Sequence, residues 1–267
     1  MQKIHVLLKK EELDAQRLEG MVVVVLDILF ATSSIVTALA HGATEVITTL
    51  DGRAAQEAAQ DFPAGSYVLS GELNADTLPG FVHPTPKALL AEGIAGRRLI
   101  YCTTNGTVAL AKSKGAAHVY AAALLNGRAV VERIVADHPE STILIVCSGS
   151  ADNFNLEDFY GAGYLVSLFR RRVAPHPPAL LPDGEGRSLS SLSLRERDRG
   201  RGLADFSDSA LAAELLHEHC DGLDALRRGR VGRMMLARRL DDEVAFAAQE
   251  SCYDVVPLLQ DGALRPV

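Results

Sequence analysis

The sequence contains no tryptophan, an absence that bears on no particular function. Its other shortages exclude more. Basic residues are outnumbered, 27 Lys and Arg against 34 Asp and Glu, leaving a formal net charge of −7. That argues against general nucleic-acid binding, which needs a basic face. It leaves room for a small anionic substrate, because a bound metal or a local arginine can invert the field. No apolar run approaches a membrane span, and Val22 to Leu26 is far too short. The opening residues Met1-Gln2-Lys3-Ile4-His5-Val6 lack the apolar core of a secretory signal. Cysteines number only four, Cys102, Cys147, Cys220 and Cys252, spread widely and without a CxxC pair. They read as reduced thiols rather than a disulfide framework or a zinc site, and the expected location is cytoplasmic.

What is there is an ordinary globular composition, 48% hydrophobic and 23% charged over 267 residues. The length suits one α/β domain over residues 1–267, with two α/β subdomains as the alternative division. β-Branched and apolar runs at Ile4–Leu8, Met21–Leu26, Glu45–Ile47, Tyr67–Ser70, Leu99–Cys102, His118–Ala123 and Thr142–Cys147 predict strands. Between them, helical patterns are expected over Ala31–Ala40, Leu50–Asp61, Thr85–Leu90, Thr107–Lys112, Asn126–Ala136 and Leu156–Phe169. The alternation implies a layered α/β/α fold with a largely parallel or mixed sheet. Residues 174–202, rich in Pro, Ser, Arg and Gly, read as an exposed loop or insertion. Beyond it, helices are expected over Ser209–His219, through Met234-Met235-Leu236 and over Asp242–Ala248, with a strand end at Val255-Val256-Pro257.

In an open parallel sheet, ligands sit beyond the carboxyl ends of the strands. Those ends deliver Asp27, Glu72, Thr103-Thr104-Asn105, Asn126, and Cys147-Ser148 followed by Glu157 and Asp158. The run Thr103-Thr104-Asn105-Gly106-Thr107 is a strand-turn-helix junction of the kind that offers backbone N–H groups to an anion. The same residues are also good helix caps, so capping alone is the competing reading. Carboxylates beside a phosphate seat suit Mg²⁺, which bridges one or two acidic side chains to a phosphate. Asp27 is the leading metal candidate, with N-capping as its plain alternative. Glu157 and Asp158 also suit a helix start for dipole reasons. Cys147 could serve as a nucleophile or be a buried structural thiol.

Several blocks together resemble the 2-phosphosulfolactate phosphatase (ComB-type) family. Val24 to Leu39 is similar to the family's DVLRATTTIVTAL signature. Gly71-Glu72, Thr103 to Thr107, Leu125-Asn126, Ile145 to Gly149, Leu156-Glu157-Asp158 with Ala162-Gly163, and Asp254 to Pro257 follow in family order. The resemblance implies a Mg²⁺-dependent phosphatase that converts 2-phospho-3-sulfolactate to 3-sulfolactate in coenzyme M synthesis. It implies Asp27, Asn105 and Cys147 as catalytic candidates, and Thr103, Thr104, Gly106, Thr107, Asn126 and Ser148 as substrate-binding ones. Asp27, Glu72, Glu157 and Asp158 are the implied metal set. Two positions depart from the pattern: the signature arginine is Phe30 here, and a GNSP-like turn is His83-Pro84-Thr85-Pro86. Phenylalanine supplies neither charge nor donors, so weaker handling of a doubly anionic substrate is expected, unless another arginine replaces it.

The expected partner is a small anionic phosphorylated substrate, with no nucleic acid and no membrane; assembly into a homo-oligomer is left open. The rival readings are a non-catalytic binder of a small anion and a hydrolase using Cys147 as nucleophile.

Overall fold

The computed structural model describes residues 2–173 and 204–267. The segment 174–202, read as an exposed loop or insertion, lies outside the described residues. Among those described, eleven strands form one mixed sheet. They are β1 Gln2–Leu7, β2 Val22–Leu26, β3 Val46–Thr49, β4 Tyr67–Leu73, β5 Asp76–Thr77, β6 Arg98–Cys102, β7 His118–Ala122, β8 Thr142–Cys147, β9 Ala204–Phe206, β10 Pro257–Gln260 and β11 Ala263–Pro266. The helices are α1 Ala31–Ala40, α2 Gly52–Ala59, α3 Pro86–Ala91, α4 Gly106–Lys112, α5 Gly127–Asp137, α6 Leu156–Val173, α7 Asp208–His219, α8 Gly222–Arg228, α9 Arg230–Ala237 and α10 Asp241–Ala247. The layered α/β architecture expected from the alternation is what the chain adopts.

Strand order is β5-β4-β6-β3-β11-β10-β7-β2-β8-β1-β9. β2 lies between β7 and β8 with parallel pairing on both sides. That placement explains its unbroken valine run, since a strand covered on both faces has no polar side. Val22, Val24 and Leu26 face a core built with α5, α6 and α7. Val23 and Val25 face a second core that also holds Ile35 of α1, Leu110 of α4 and, from the other half of the sheet, Val46, Leu99 and Tyr101. Helices α1 and α4 are thus enclosed between the two halves of the sheet.

Only a strand end was expected around Val255 to Pro257. The chain instead forms a hairpin, β10–β11, antiparallel to β7 on one side and to β3 on the other. Its turn is Asp261-Gly262, with φ of +49° and +84°. Two consecutive left-handed residues are what a tight two-residue hairpin demands, and Asp-Gly supplies them. The Glu45 carboxylate accepts from Arg98 at 2.7 Å and from Arg265 at 2.6 Å, tying the hairpin to β6.

The inserted hairpin reverses strand direction, so in a flat sheet β2 and β6 would end at opposite edges. Five steps separate them in the strand order. With roughly 20–25° of twist per step, the sheet turns through about 100–125°. The carboxyl ends of β2 and β6 are brought toward one side in this way, and the helices that follow them, α1 and α4, meet there.

Candidate active site

A cleft of about 290 Å³ opens where these ends meet. Its floor and walls come from Asp27 and Phe30 after β2, Glu72, Asn74 and Ala75 at the β4–β5 turn, and Thr103 to Asn105 after β6. Ser150, Ala151, Asn155 and Glu157 around the start of α6, and Arg230, Val231 and Met234 of α9, complete it.

Hydroxyl side chains lock the loop that carries Asp27. Thr32 Oγ1 accepts from the Asp27 N–H at 2.9 Å and donates to the Asp27 carbonyl at 3.0 Å. Ser34 Oγ and the Tyr101 hydroxyl both donate to the Pro84 carbonyl, fixing the His83–Pro86 segment against α1. Phe30 and His83, the two departures from the family pattern, touch each other edge to face at 6.4 Å between ring centres. Burial, with the nearby Arg238 charge, lowers the His83 pKa.

The Thr-rich turn is a cap as well as a wall. Thr103 and Thr107 bond reciprocally, with Thr107 Oγ1 donating to the Thr103 carbonyl at 2.7 Å and accepting from its N–H at 3.3 Å. Thr104 gives both its N–H and its hydroxyl to Glu72 Oε1, at 2.6 and 2.9 Å, while Glu72 Oε2 accepts from the Ala75 N–H. Glu72 is therefore a pin between two loops as well as a cleft carboxylate. Gly106 lies so close to the β2 end that a Cβ there would sit 2.3 Å from Ala31 Cβ and 2.5 Å from Asp27 Oδ2. Only glycine permits that approach.

Behind the cleft, Asp158 is wholly buried and accepts from the Ile28 N–H at 3.0 Å and the Gly149 N–H at 3.1 Å. It joins the β2–α1 and β8–α6 loops. Glu157 is equally buried, and its Oε2 has no hydrogen-bond partner among the described residues. Burial raises the Asp27 carboxyl to about 8, and the charges of Asp158 and Glu72 add to the rise. Burial and the neighbouring Glu157 raise Asp158 to about 8. Glu157 is raised to about 7, by burial first and then by Asp27. Desolvation is the leading cause in all three, offset only in part by Lys10 at Asp27 and Arg230 at Glu157.

Asn126, Cys147 and Ser148 follow strands but do not line the cleft. Asn126 is buried, accepting from the Ala123 N–H at 2.9 Å and donating to the Val255 carbonyl at 3.0 Å, so it anchors the approach to β10. Ser148 donates its N–H to the Leu26 carbonyl at 2.8 Å. Cys147 has no exposed surface, and burial together with Asp158 pushes its thiol well above the usual range. An activated cysteine needs the opposite, an accessible electropositive setting.

Two cationic residues were not anticipated. Lys10, just after β1 and nearly buried, donates to Asn105 Oδ1 at 3.0 Å and to the Ser148 carbonyl at 3.2 Å. With its oxygen so engaged, the Asn105 amide keeps its NH₂ donors for the cleft. Arg230 stands at the rim, donating through Nη2 to Ser150 Oγ, to the Ser150 carbonyl at 3.0 Å and to Asn155 Oδ1 at 3.3 Å. The spacing Arg230, Met234, Arg238 was the available signal, since i, i+4, i+8 residues share one helix face. Arg238 braces the opposite lip through the Ala75 carbonyl and Asp76.

Residues 7–262 match the family profile described as 2-phosphosulpholactate phosphatase. Similar proteins named "Probable 2-phosphosulfolactate phosphatase" include one from Symbiobacterium thermophilum, 32% identical over 93% of this chain and 95% of its own length. Another, from Clostridium beijerinckii, is 26% identical over 98% of each chain. A third, from Deinococcus radiodurans, is 34% identical over 90% of this chain and 88% of its own.

Proposed function

Because the chain belongs to the 2-phosphosulpholactate phosphatase family, we propose that it hydrolyses a phosphate monoester of the 2-phospho-3-sulfolactate type, releasing inorganic phosphate, with Mg²⁺ held at Asp27 and Glu157. The observation that carries this reading is the carboxylate cluster at the cleft floor. Asp27 and Glu157 are buried there with Asp158 behind them, and one Glu157 oxygen has no hydrogen-bond partner among the described residues. Such a group is costly unless a positive charge neutralises it.

The donor chemistry fits Mg²⁺, since every candidate ligand atom is a carboxylate oxygen. No three His, Cys, Asp or Glu side chains form a closed metal cage among the described residues. That agrees with an ion bound through one or two carboxylates and otherwise by water and substrate. When bound, the ion supplies charge neutralisation at the phosphoryl group. Asp27 and Glu157 hold it, Asp158 ties together the loops from which they project, and Glu72 pins the β4–β5 turn to the Thr104 loop. The Asn105 amide, turned by Lys10, donates to a phosphoryl oxygen. Thr103, whose oxygen already accepts from the Thr107 N–H at 3.4 Å, keeps its hydroxyl proton for a second oxygen. Both donors are set before substrate arrives, which is how fixed dipoles stabilise developing charge.

The test is phosphate release from 2-phospho-3-sulfolactate with Mg²⁺ and with excess chelator, for the wild type and Asp27→Asn. Turnover is expected with Mg²⁺ alone and is lost in Asp27→Asn. Undiminished turnover in chelator overturns the metal assignment, and a protein that binds but never turns over is a non-catalytic anion binder.

A further inference from the structure

We propose that Arg230 seats a second oxyanion of the substrate, remote from the phosphoryl group; the inference rests on the phosphomonoesterase reading above. Arg230 is the one Lys or Arg among the residues that line the cleft. Its Nη2 edge is fixed by Ser150 and Asn155, its charge reaches Glu157, and Nε and Nη1 have no hydrogen-bond partner among the described residues. A rim arginine with no function is ordinarily free to swing in solvent. Here its head is tethered by one edge and leaves a fork of donors unused. A half-satisfied, oriented guanidinium matches a carboxylate or a sulfonate, each of which presents two oxygens to such a fork.

Asn105 and Thr103, the donors assigned above to the phosphoryl group, line the cleft from the loop after β6. Arg230 enters from α9, a separate element. A ligand reaching both carries two anionic groups a few atoms apart. In a substrate of the type proposed above, that second group is the carboxylate or the sulfonate. Val231 and Met234, beside Arg230 on α9, offer apolar contact to that skeleton. Asn155 accepts from the guanidinium and from Ser150 Oγ, and it also bonds Asp158.

Three substrates and one binding probe test the assignment. Steady-state kinetics are compared for 2-phospho-3-sulfolactate, 2-phospholactate, which lacks the sulfonate, and isopropyl phosphate, which lacks both acids. Calorimetry with 3-sulfolactate reports the second-anion seat without hydrolysis. Arg230→Ala should raise KM roughly 10-fold or more for substrates bearing the recognised acid, as expected for one charge-assisted contact. KM for isopropyl phosphate should stay within about 2-fold, and 3-sulfolactate binding should weaken in step. Equal effects on the first two substrates assign Arg230 to the carboxylate; an effect confined to the first assigns it to the sulfonate. Arg230→Lys should recover only part of the loss. A loss shared by all three substrates, or no loss, overturns the inference while leaving the phosphatase reading intact. Arg230-dependent binding of 3-sulfolactate by a protein that hydrolyses nothing does the reverse. Circular dichroism confirms folding, which an exposed site should not disturb.

Discussion

Glu157→Gln is expected to stabilise the metal-free protein, and to do so more at pH 8 than at pH 5. The wild-type carboxyl is raised from 4.5 to about 7 by its burial. A carboxyl with a raised folded-state pKa binds its proton more tightly when folded. Its contribution is therefore favourable at low pH, falls as pH rises from about 4.5, and is fully lost once pH passes about 7. The shift of roughly 2.5 units corresponds to about 3 kcal/mol at one pKa unit per 1.4 kcal/mol. Less than 1 kcal/mol of that loss has accrued at pH 5, so about 2 kcal/mol separates the two conditions. Glutamine never ionises and escapes the loss. For a chain of this size, each kcal/mol moves Tm by about 2–4 °C. Thermal melts in chelator should then place Glu157→Gln about 6–12 °C above wild type at pH 8 and within about 3 °C at pH 5. Added Mg²⁺ should raise the wild-type Tm and close the gap, because ligand binding stabilises only the state that binds it. A gap of equal size at both pH values, or a variant less stable than wild type at pH 8, refutes the linkage.

Other substitutions separate the parts of the site. Cys147→Ser should lower Tm, since it places a hydroxyl in a core position, yet leave kcat within about 5-fold; loss beyond about 1,000-fold in a folded variant would hand the chemistry to the thiol. Gly106→Ala should cut phosphate release at least about 10-fold, as its Cβ would displace Asp27 or Ala31; unchanged kinetics would show that the approach is not needed. Lys10→Met should lower kcat about 10- to 100-fold with little change in KM, because it frees the Asn105 amide to turn. A change in KM alone would place Asn105 in ground-state binding.

The elements easiest to read were those with unmixed periodicity. The valine run of β2, the α1 pattern over Ala31–Ala40 and the Thr142–Cys147 strand stand where the spacing put them. The hairpin at 257–266 was less legible, although Asp261-Gly262 between Leu258-Leu259 and Ala263-Leu264 carried its turn. Its antiparallel place in the middle of the sheet depends on contacts far away in sequence. Position after a strand pointed to Asp27, Glu72, Thr103, Thr104, Asn105 and Glu157, which meet at the cleft. The same rule also selected Asn126, Cys147 and Ser148. A strand end fixes how far along the sheet a residue lies but not which face it takes. Cys147 pairs with Leu26 and shares its face, the one covered by α5 and α6. Lys10 and Arg230 escaped notice because single cations on polar stretches usually mean solvent, and only tertiary closure brings them to the cleft.

The central hairpin also bears on how the chain is made. No pairing joins β3 to β7 directly; β10 and β11 stand between them. During synthesis, the sheet built from β4, β6 and β3 and the one built from β7, β2, β8 and β1 are both complete while residues 257–266 are still missing. Each then presents a raw inner edge, the condition that invites pairing with a neighbouring chain. Asp27 and Gly106 belong to different halves, so the cleft takes its final form only once the hairpin is in place. The protein's yield in a cell should depend on how briefly those two edges stay open, and chaperone supply should matter more to it than to a sheet zipped in chain order.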